Sequence, residues 1–204
     1  MKLPQTLETA FTGLEAAIVL IAFVVVAAVF SYVVLGAGFY TTQTAQATVH
    51  TGVAQASSSV EVDGNVMGVA LGDTPSQLSY VNVSIILMAG GTPMDLSQMV
   101  ISYTDTAGGR NASINMTPSG CGTILSANAA TKDDIQWCVS QKINEVGNPN
   151  NLIEPNELWI LTIGMPPTAT VNQKITLTLQ PAVGAVSSIS KTIPGALSKI
   201  QPIY

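Results

Sequence analysis

From Glu15 to Glu61 the chain passes through 45 residues without an Asp, Glu, Lys or Arg. The first part of this gap, Ala16 to Leu35, is built from Ala, Val, Ile, Leu and Phe, with only Ser31 and Tyr32 polar. That meets the length of roughly 20 apolar residues which a helix needs to span the hydrocarbon core of a bilayer. The second part is different in kind. After Tyr40 comes TTQTAQATVHTGVAQASSS, neutral and polar, yet Ala45, Val49, Val53, Ala56 and Val60 fall at helical spacing on one side. One helix is therefore predicted from about Phe11 to about Ser59, roughly 70 Å long at 1.5 Å per residue and far longer than a bilayer requires. Its polar half has a narrow apolar stripe that needs neighbours, so a simple membrane anchor does not account for it. Ala16, Ala17, Ala22, Ala27, Ala28, Ser31, Gly36 and Gly38 are small enough to let other helices approach closely, and Gly36 and Gly38 are the places where a bend is expected.

Composition narrows the function classes. Of 204 residues, 9% are charged and 47% apolar, a balance suited to a chain packed in lipid or in a polymer rather than to a soluble monomer. Seven Lys and Arg scattered singly, with a net charge of −5, leave no basic footprint for nucleic acid. His50 lies in the predicted helix amid Thr and Gln, with no motif linking it to a Ser and an Asp. No glycine loop is followed by Lys and Ser or Thr, which removes phosphate cradling. No catalytic residue, cofactor or metal ligand is assigned. Asp133, Asp134 and the run NPNNLIEPNE, with Asn148, Asn150, Asn151, Glu154 and Glu157, offer oxygen atoms for a calcium-like site, but the spacing matches no metal loop and a solvated turn is the better reading. Trp137 and Trp159 are read as core aromatics.

Beyond Ser59 the apolar pattern changes to period two. YVNVSIIL (80 to 87) sets Val81, Val83 and Ile85 against Tyr80, Asn82 and Ser84, and MVISY (99 to 103), ELWILTI (157 to 163) and KITLTLQ (174 to 180) alternate similarly. ISKTI (189 to 193) is a weaker late strand. Asp63-Gly64, set between apolar residues, signals a hairpin. Gly, Pro and Asn clusters at 90 to 93, 107 to 111, 147 to 151 and 164 to 167 punctuate the region, which predicts a compact antiparallel sandwich or barrel of about 140 residues.

Cys121 and Cys138 are the only cysteines and cannot supply four zinc ligands. A disulfide is the better reading, against two unpaired buried thiols; it implies an oxidising, extracytoplasmic setting. Three sequons are present: Asn82 opens NVS, Asn111 opens NAS and Asn115 opens NMT. Asn82 falls on the polar side of its strand, and 111 and 115 follow TAGGR, read as a surface loop, so all three are candidates for N-glycosylation.

The N-terminus inverts the order of a secretory signal, since a short polar leader, MKLPQTLETA, precedes an apolar run too long to be removed. With Gly13 near the start of that run and VVLGAGF at its end, the segment from Phe11 to about Phe39 resembles the archaeal flagellins, or archaellins, and their class III signal peptides shared with type IV pilins. The match is nearest to archaellins of methanogenic archaea. The resemblance implies a cut between Ala10 and Phe11 by a prepilin-type signal peptidase, although Glu8, Thr9 and Ala10 stand where the family usually has Gly, often preceded by a basic residue. It implies an α+β fold, a long N-terminal hydrophobic α-helix followed by an antiparallel Ig-like β-sandwich, divided as leader 1–10, core helix 11–59 and outer domain 60–204. It also implies a partner for Glu15. A free ammonium at Phe11 and the Glu15 carboxylate enter an apolar core together and are tolerated there when paired.

The resulting expectation is a structural subunit of the archaeal flagellum, extracellular, membrane-inserted before assembly, and partnered by copies of itself and other archaellins. Two rivals remain at this point: a static type IV adhesion pilin, and a single-pass surface protein whose Ig-like domain binds a ligand.

Overall fold

The computed structural model describes residues 5–72, 76–117, 120–126, 135–147 and 149–204. They fall into two compact units, Met1–Thr51 and Gly52–Tyr204. Helix α1, Gln5–Ser57, has 53 residues. It starts inside the segment read as a leader, because no Gly or Pro interrupts the chain from Gln5 to Thr12. It also runs without a break through Gly36 and Gly38, where a bend was expected. The threonines of its polar half bond back to their own helix. The hydroxyls of Thr41, Thr42, Thr44, Thr48 and Thr51 donate to main-chain carbonyls three or four residues earlier, at 2.8 to 3.0 Å. At its end Ser58 N–H donates to Ala54 O, and three consecutive serines hand the chain to extended structure.

Among the described residues the second unit holds a sheet of ten strands and a separate pair. Strand β1 (Val60–Val62) and β2 (Met67–Ala70) both pair antiparallel with β3 (Leu78–Leu87). Next come β4 (Met94–Asp95), a 3-10 turn at Leu96–Gln98, β5 (Val100–Asp105) and β6 (Arg110–Met116). A short helix α2 (Gly122–Ser126) precedes β7 (Gln136–Ile143), followed by β8 (Leu152–Ile153), β9 (Leu158–Gly164), β10 (Lys174–Gln180), β11 (Ser187–Thr192) and β12 (Ile200–Pro202). The main sheet reads β11, β10, β5, β6, β7, β9, β3, β2, β12, with β1 also on β3, while β4 and β8 pair separately. Among the described strands every pair is antiparallel except β6 with β7. Beyond β12, Tyr204 and Thr192 exchange main-chain hydrogen bonds, so the two ends of the sheet are tied to each other.

Alternation dictates what lies inside. Val81, Val83, Ile85 and Leu87 of β3, Trp159, Leu161 and Ile163 of β9, and Ile175, Leu177 and Leu179 of β10 are buried, and they share one core with Ile101 and Tyr103 of β5. The α+β order and the mainly antiparallel outer sheet expected from the sequence are what the chain adopts.

The hairpin expected at Asp63-Gly64 is not formed. Gly64 does take a positive φ of 79°, but β1 and β2 lie in tandem along the same edge of β3, with Val62 opposite Ile85 and Met67 opposite Asn82. The turn residues make a kink between two collinear strands. The apolar residues on both sides are satisfied by β3 and have no need of each other.

Candidate functional site

The largest unsatisfied surface is α1. Every described side chain from Gly13 to Val53 is exposed, among them Phe23 at 75% and Tyr32 at 80%. The helix is long and apolar enough to cross a membrane by length and composition. Around Gly38, Phe30, Val34, Leu35 and Phe39 border a shallow notch, because Gly38 leaves open space where a Cβ would stand. Ala10 and Phe11 lie in the first turns of the helix, their side chains outside the description. Glu15 is exposed one turn after Phe11 and has no ion-pair partner among the described residues. His50 is exposed on the helix.

The chain leaving α1 is held firmly within the second unit. Ser58 and Ser59 are buried. Ser58 O accepts Ala185 N–H at 3.0 Å, Ser59 O accepts Met88 N–H at 2.9 Å, and the Ser58 and Thr92 hydroxyls bond at 2.7 Å. Gly184 makes this approach possible: its φ is 117°, and a Cβ there would collide with the Ser58 carbonyl.

Cys121 and Cys138 are joined in a disulfide that ties the entrance of α2 to β7. The turn expected at TAGGR precedes Asn111 and Asn115. Both lie in β6, because the turn closes at Gly109, whose N–H donates to Asp105 Oδ1 at 2.7 Å. Asn115 is exposed; Asn111 is half-buried and its Oδ1 accepts Ser113 N–H at 3.1 Å. Asn82 is half-buried and its Oδ1 accepts the Thr162 hydroxyl at 2.8 Å.

Two carboxylates of the β unit are each held by several hydrogen bonds. Glu157, read as part of a solvated turn, is fully buried. Its Oε1 accepts Val146 N–H at 2.7 Å; its Oε2 accepts Glu154 N–H at 2.9 Å and the Trp159 indole N–H at 3.0 Å. Burial alone pushes this carboxyl up, but those three donors and the nearby Lys142 outweigh it and hold the group below the usual carboxylate range. Lys142 itself spans Glu145 at 3.2 Å, the Asn150 carbonyl and the Trp159 ring, 4.3 Å from the centroid. Thus the acidic, Asn-rich run folds around one buried carboxylate. Among the described residues no group of three His, Cys, Asp or Glu is placed to hold a metal; Asp133, Asp134 and Asn148 lie outside the described residues.

Asp105 follows the same logic, since burial raises it but the nearby Thr168 hydroxyl and the hydrogen bonds it accepts from the Tyr103 hydroxyl and Gly109 N–H leave it below its ordinary value. Burial, then the bond to Asp105, keeps the Tyr103 phenol protonated. Trp137 and Trp159 are both fully buried in the core.

A family model described as archaeal-type flagellin matches residues 10–191. The chain belongs to the archaeal-type flagellins. Probable flagellin 2 of Archaeoglobus fulgidus is 41% identical over 209 residues, which cover 95% of this chain and 93% of that protein. The 24 kDa flagellin of Methanospirillum hungatei is 88% identical over 32 residues, the whole of that sequence and 16% of this chain. Among solved structures, the archaeal flagellum of Methanospirillum hungatei aligns with a TM-score of 0.66 at 28% identity, covering 94% of this flagellin and 98% of that chain. The crystal structure of archaeal flagellin FlaB1 from Methanocaldococcus jannaschii gives a TM-score of 0.54 at 17% identity over 72% of this chain and 96% of that one, a likeness in fold.

Proposed function

We propose that this archaeal-type flagellin is the repeating structural subunit of an archaeal flagellar filament used for swimming, with α1 as polymer core and residues 60–204 as the outer domain. The observation that carries the reading is the continuous exposure of α1 from Gly13 to Val53. An apolar surface of this extent stays out of water only in lipid or against other protein, and at about 1.5–3 kcal/mol for each large apolar side chain its burial dominates the energetics of any state in which it is covered. Lipid suits Ala16 to Leu35. The neutral half beyond Tyr40 is covered by neighbouring copies.

In this reading the precursor waits in the membrane. A prepilin-type signal peptidase removes residues 1–10, and the family match beginning at residue 10 supports a boundary there. The new ammonium at Phe11 then lies one helical turn from Glu15, a spacing that puts both on one face and lets the carboxylate neutralise it as the helix leaves the bilayer. Exchanging lipid for helix contacts changes apolar exposure little, so removal of the leader is what makes the transfer possible. Contacts between copies, and with other archaellins, are head-to-tail and non-closing, the geometry that generates helical filaments. The role is mechanical and extracellular, with no chemistry in the subunit.

The test is the mass and N-terminal sequence of the protein in filaments sheared from cells. A chain starting at Phe11 in filaments visible by electron microscopy is expected. A chain starting at Met1, monodisperse in detergent and absent from any filament, would refute it.

A further inference from the structure

The described charges of the β unit are sorted toward opposite ends of its strands, and we propose that these ends dock on one another between copies, the basic end of one outer domain against the acidic end of the next. This rests on the filament reading above.

The basic end is where β3 and β10 begin and β5 and β9 finish. Arg110 opens β6 opposite Thr104. Lys174 opens β10, its carbonyl taking Thr106 N–H. Lys191 stands opposite Ile175, and Lys199 precedes β12, its carbonyl taking Ala70 N–H at the close of β2. Arg110, Lys174 and Lys199 are exposed and Lys191 is half-buried, and none of them makes an ion pair with a described residue. The carboxylate described at this end is Asp105, already engaged by the Tyr103 hydroxyl and Gly109 N–H. Asp73, Lys132, Asp133 and Asp134 lie outside the described residues.

The acidic end is where β3 finishes and β9 begins. Glu61 stands opposite Ile86, Asp63 N–H donates to Ser84 O, and Asp95 stands opposite Leu152. Glu145 and Glu154 occupy the connection from β7 to β9. Glu61, Asp63 and Asp95 are exposed, Glu145 and Glu154 half-buried. The cation described there is Lys142, whose charge is taken by Glu145 and the Trp159 ring.

A single folded copy gains nothing from this sorting, because like charges gathered at each end repel one another. The two ends are also too far apart to help each other within one copy. Strand β3 alone has ten residues, about 33 Å at 3.3 Å per residue, against a screening length of about 10 Å at 0.1 M salt. Contact with an opposite end of another copy relieves both repulsions at once. Individual exposed pairs are weak, so the main effect is on orientation and register: basic-to-acidic docking is favoured, and like ends are kept apart.

Filaments are isolated from cells producing full-length wild type, a basic-end reversal (Arg110→Glu, Lys174→Glu, Lys199→Glu), an acid-end reversal (Glu61→Lys, Asp63→Lys, Glu154→Lys) and the combination of all six. Subunit loss from filaments is followed by sedimentation in low salt, with tryptophan fluorescence checking that each β unit is folded. Each single-end reversal is expected to speed subunit loss roughly tenfold or more. The six-fold variant, whose ends have exchanged sign, is expected to return to within about threefold of wild type, and 1 M NaCl to shrink the differences. Lys174→Gln with Lys199→Gln, gentler on folding, is expected to act in the same direction by about threefold. Reversals without effect on intact wild-type-like filaments, or a six-fold variant no better than either parent, would overturn the docking of opposite ends while leaving the filament reading standing. Failure of the wild-type chain to appear in filaments would overturn both.

Discussion

Glu157→Gln is the sharpest perturbation of the outer domain, because it preserves volume and removes only charge and one acceptor oxygen. The carboxylate takes three donors, Val146 N–H, Glu154 N–H and the Trp159 indole, with no exposure to water. In the variant the best arrangement leaves the amide oxygen facing the Glu154 and Trp159 donors, while the amide NH2 meets Val146 N–H, donor against donor. A bond to a charged group is worth about 1.5–3 kcal/mol and a neutral one about 1 kcal/mol. One bond is lost and two weaken, offset in part by relief from burying a charge, for a net cost of about 2–4 kcal/mol. In a unit of this size that is a fall in Tm of about 5–15 °C. The pH dependence has a defined sign. The folded carboxyl lies below its ordinary 4.5, so its contribution is complete above that value and disappears as pH falls through the lower folded one. Wild type therefore loses more stability between pH 7 and pH 3 than Glu157→Gln does. Both tryptophans of the chain are buried in this unit, so urea unfolding of the detergent-solubilised full chain, followed by their fluorescence, reads it directly. A variant within about 0.5 kcal/mol of wild type at pH 7, well inside the range of neutral surface changes, or one with an unchanged acid dependence, would refute the reasoning.

Three further outcomes are expected. Opening the Cys121–Cys138 bridge, by reduction or as Cys121→Ser with Cys138→Ser, frees a loop with a sequence separation of 17 and should cost about 3 kcal/mol; an unchanged thermal midpoint under reductant would contradict it. Gly184→Ala should cost about 2–4 kcal/mol, since its φ of 117° strains any L side chain and its Cβ meets the Ser58 carbonyl; protease sensitivity near residues 57–59 measures the loosened joint, and resistance equal to wild type would count against it. Peptide mass mapping of native filaments should find glycan at exposed Asn115 and none at Asn82, whose side chain is held by Thr162; the reverse pattern would remove accessibility as the deciding factor.

The legible parts of this fold are those where one physical requirement acts alone. An uncharged run of that length has to be a helix with company, and β3, β9 and β10 carry clean alternation because one face meets the core and the other does not. Strand β6 was hidden because Arg110, Asn111, Ala112 and Ser113 are all polar or small, and only Ile114 is fully buried within it. Its parallel partner β7 lies across a disulfide-bridged excursion, a pairing that no local pattern encodes. The Asp63-Gly64 signal was real as backbone chemistry and wrong as topology, because a turn dipeptide cannot say whether the next strand returns or continues. Glu157 was legible in part. It shares the parity of Trp159, Leu161 and Ile163, and a carboxylate on the inward side of a strand has to be met by hydrogen bonds, whereas its Asn-rich surroundings have the composition of a solvated turn.

The threonines of α1 bear on how a polymer of such helices would deform. Their hydroxyl protons go to carbonyls of their own helix, so each of these threonines offers a neighbour its methyl group and an acceptor oxygen. The threonines therefore offer a neighbouring helix no free hydroxyl proton with which to fix its register. Packed methyl surfaces slide by an ångström with small loss, whereas a ladder of interhelical hydrogen bonds yields only by breaking. A filament that flexes is better served by the first kind of contact, and the threonine positions of α1 would supply it in the proposed polymer core.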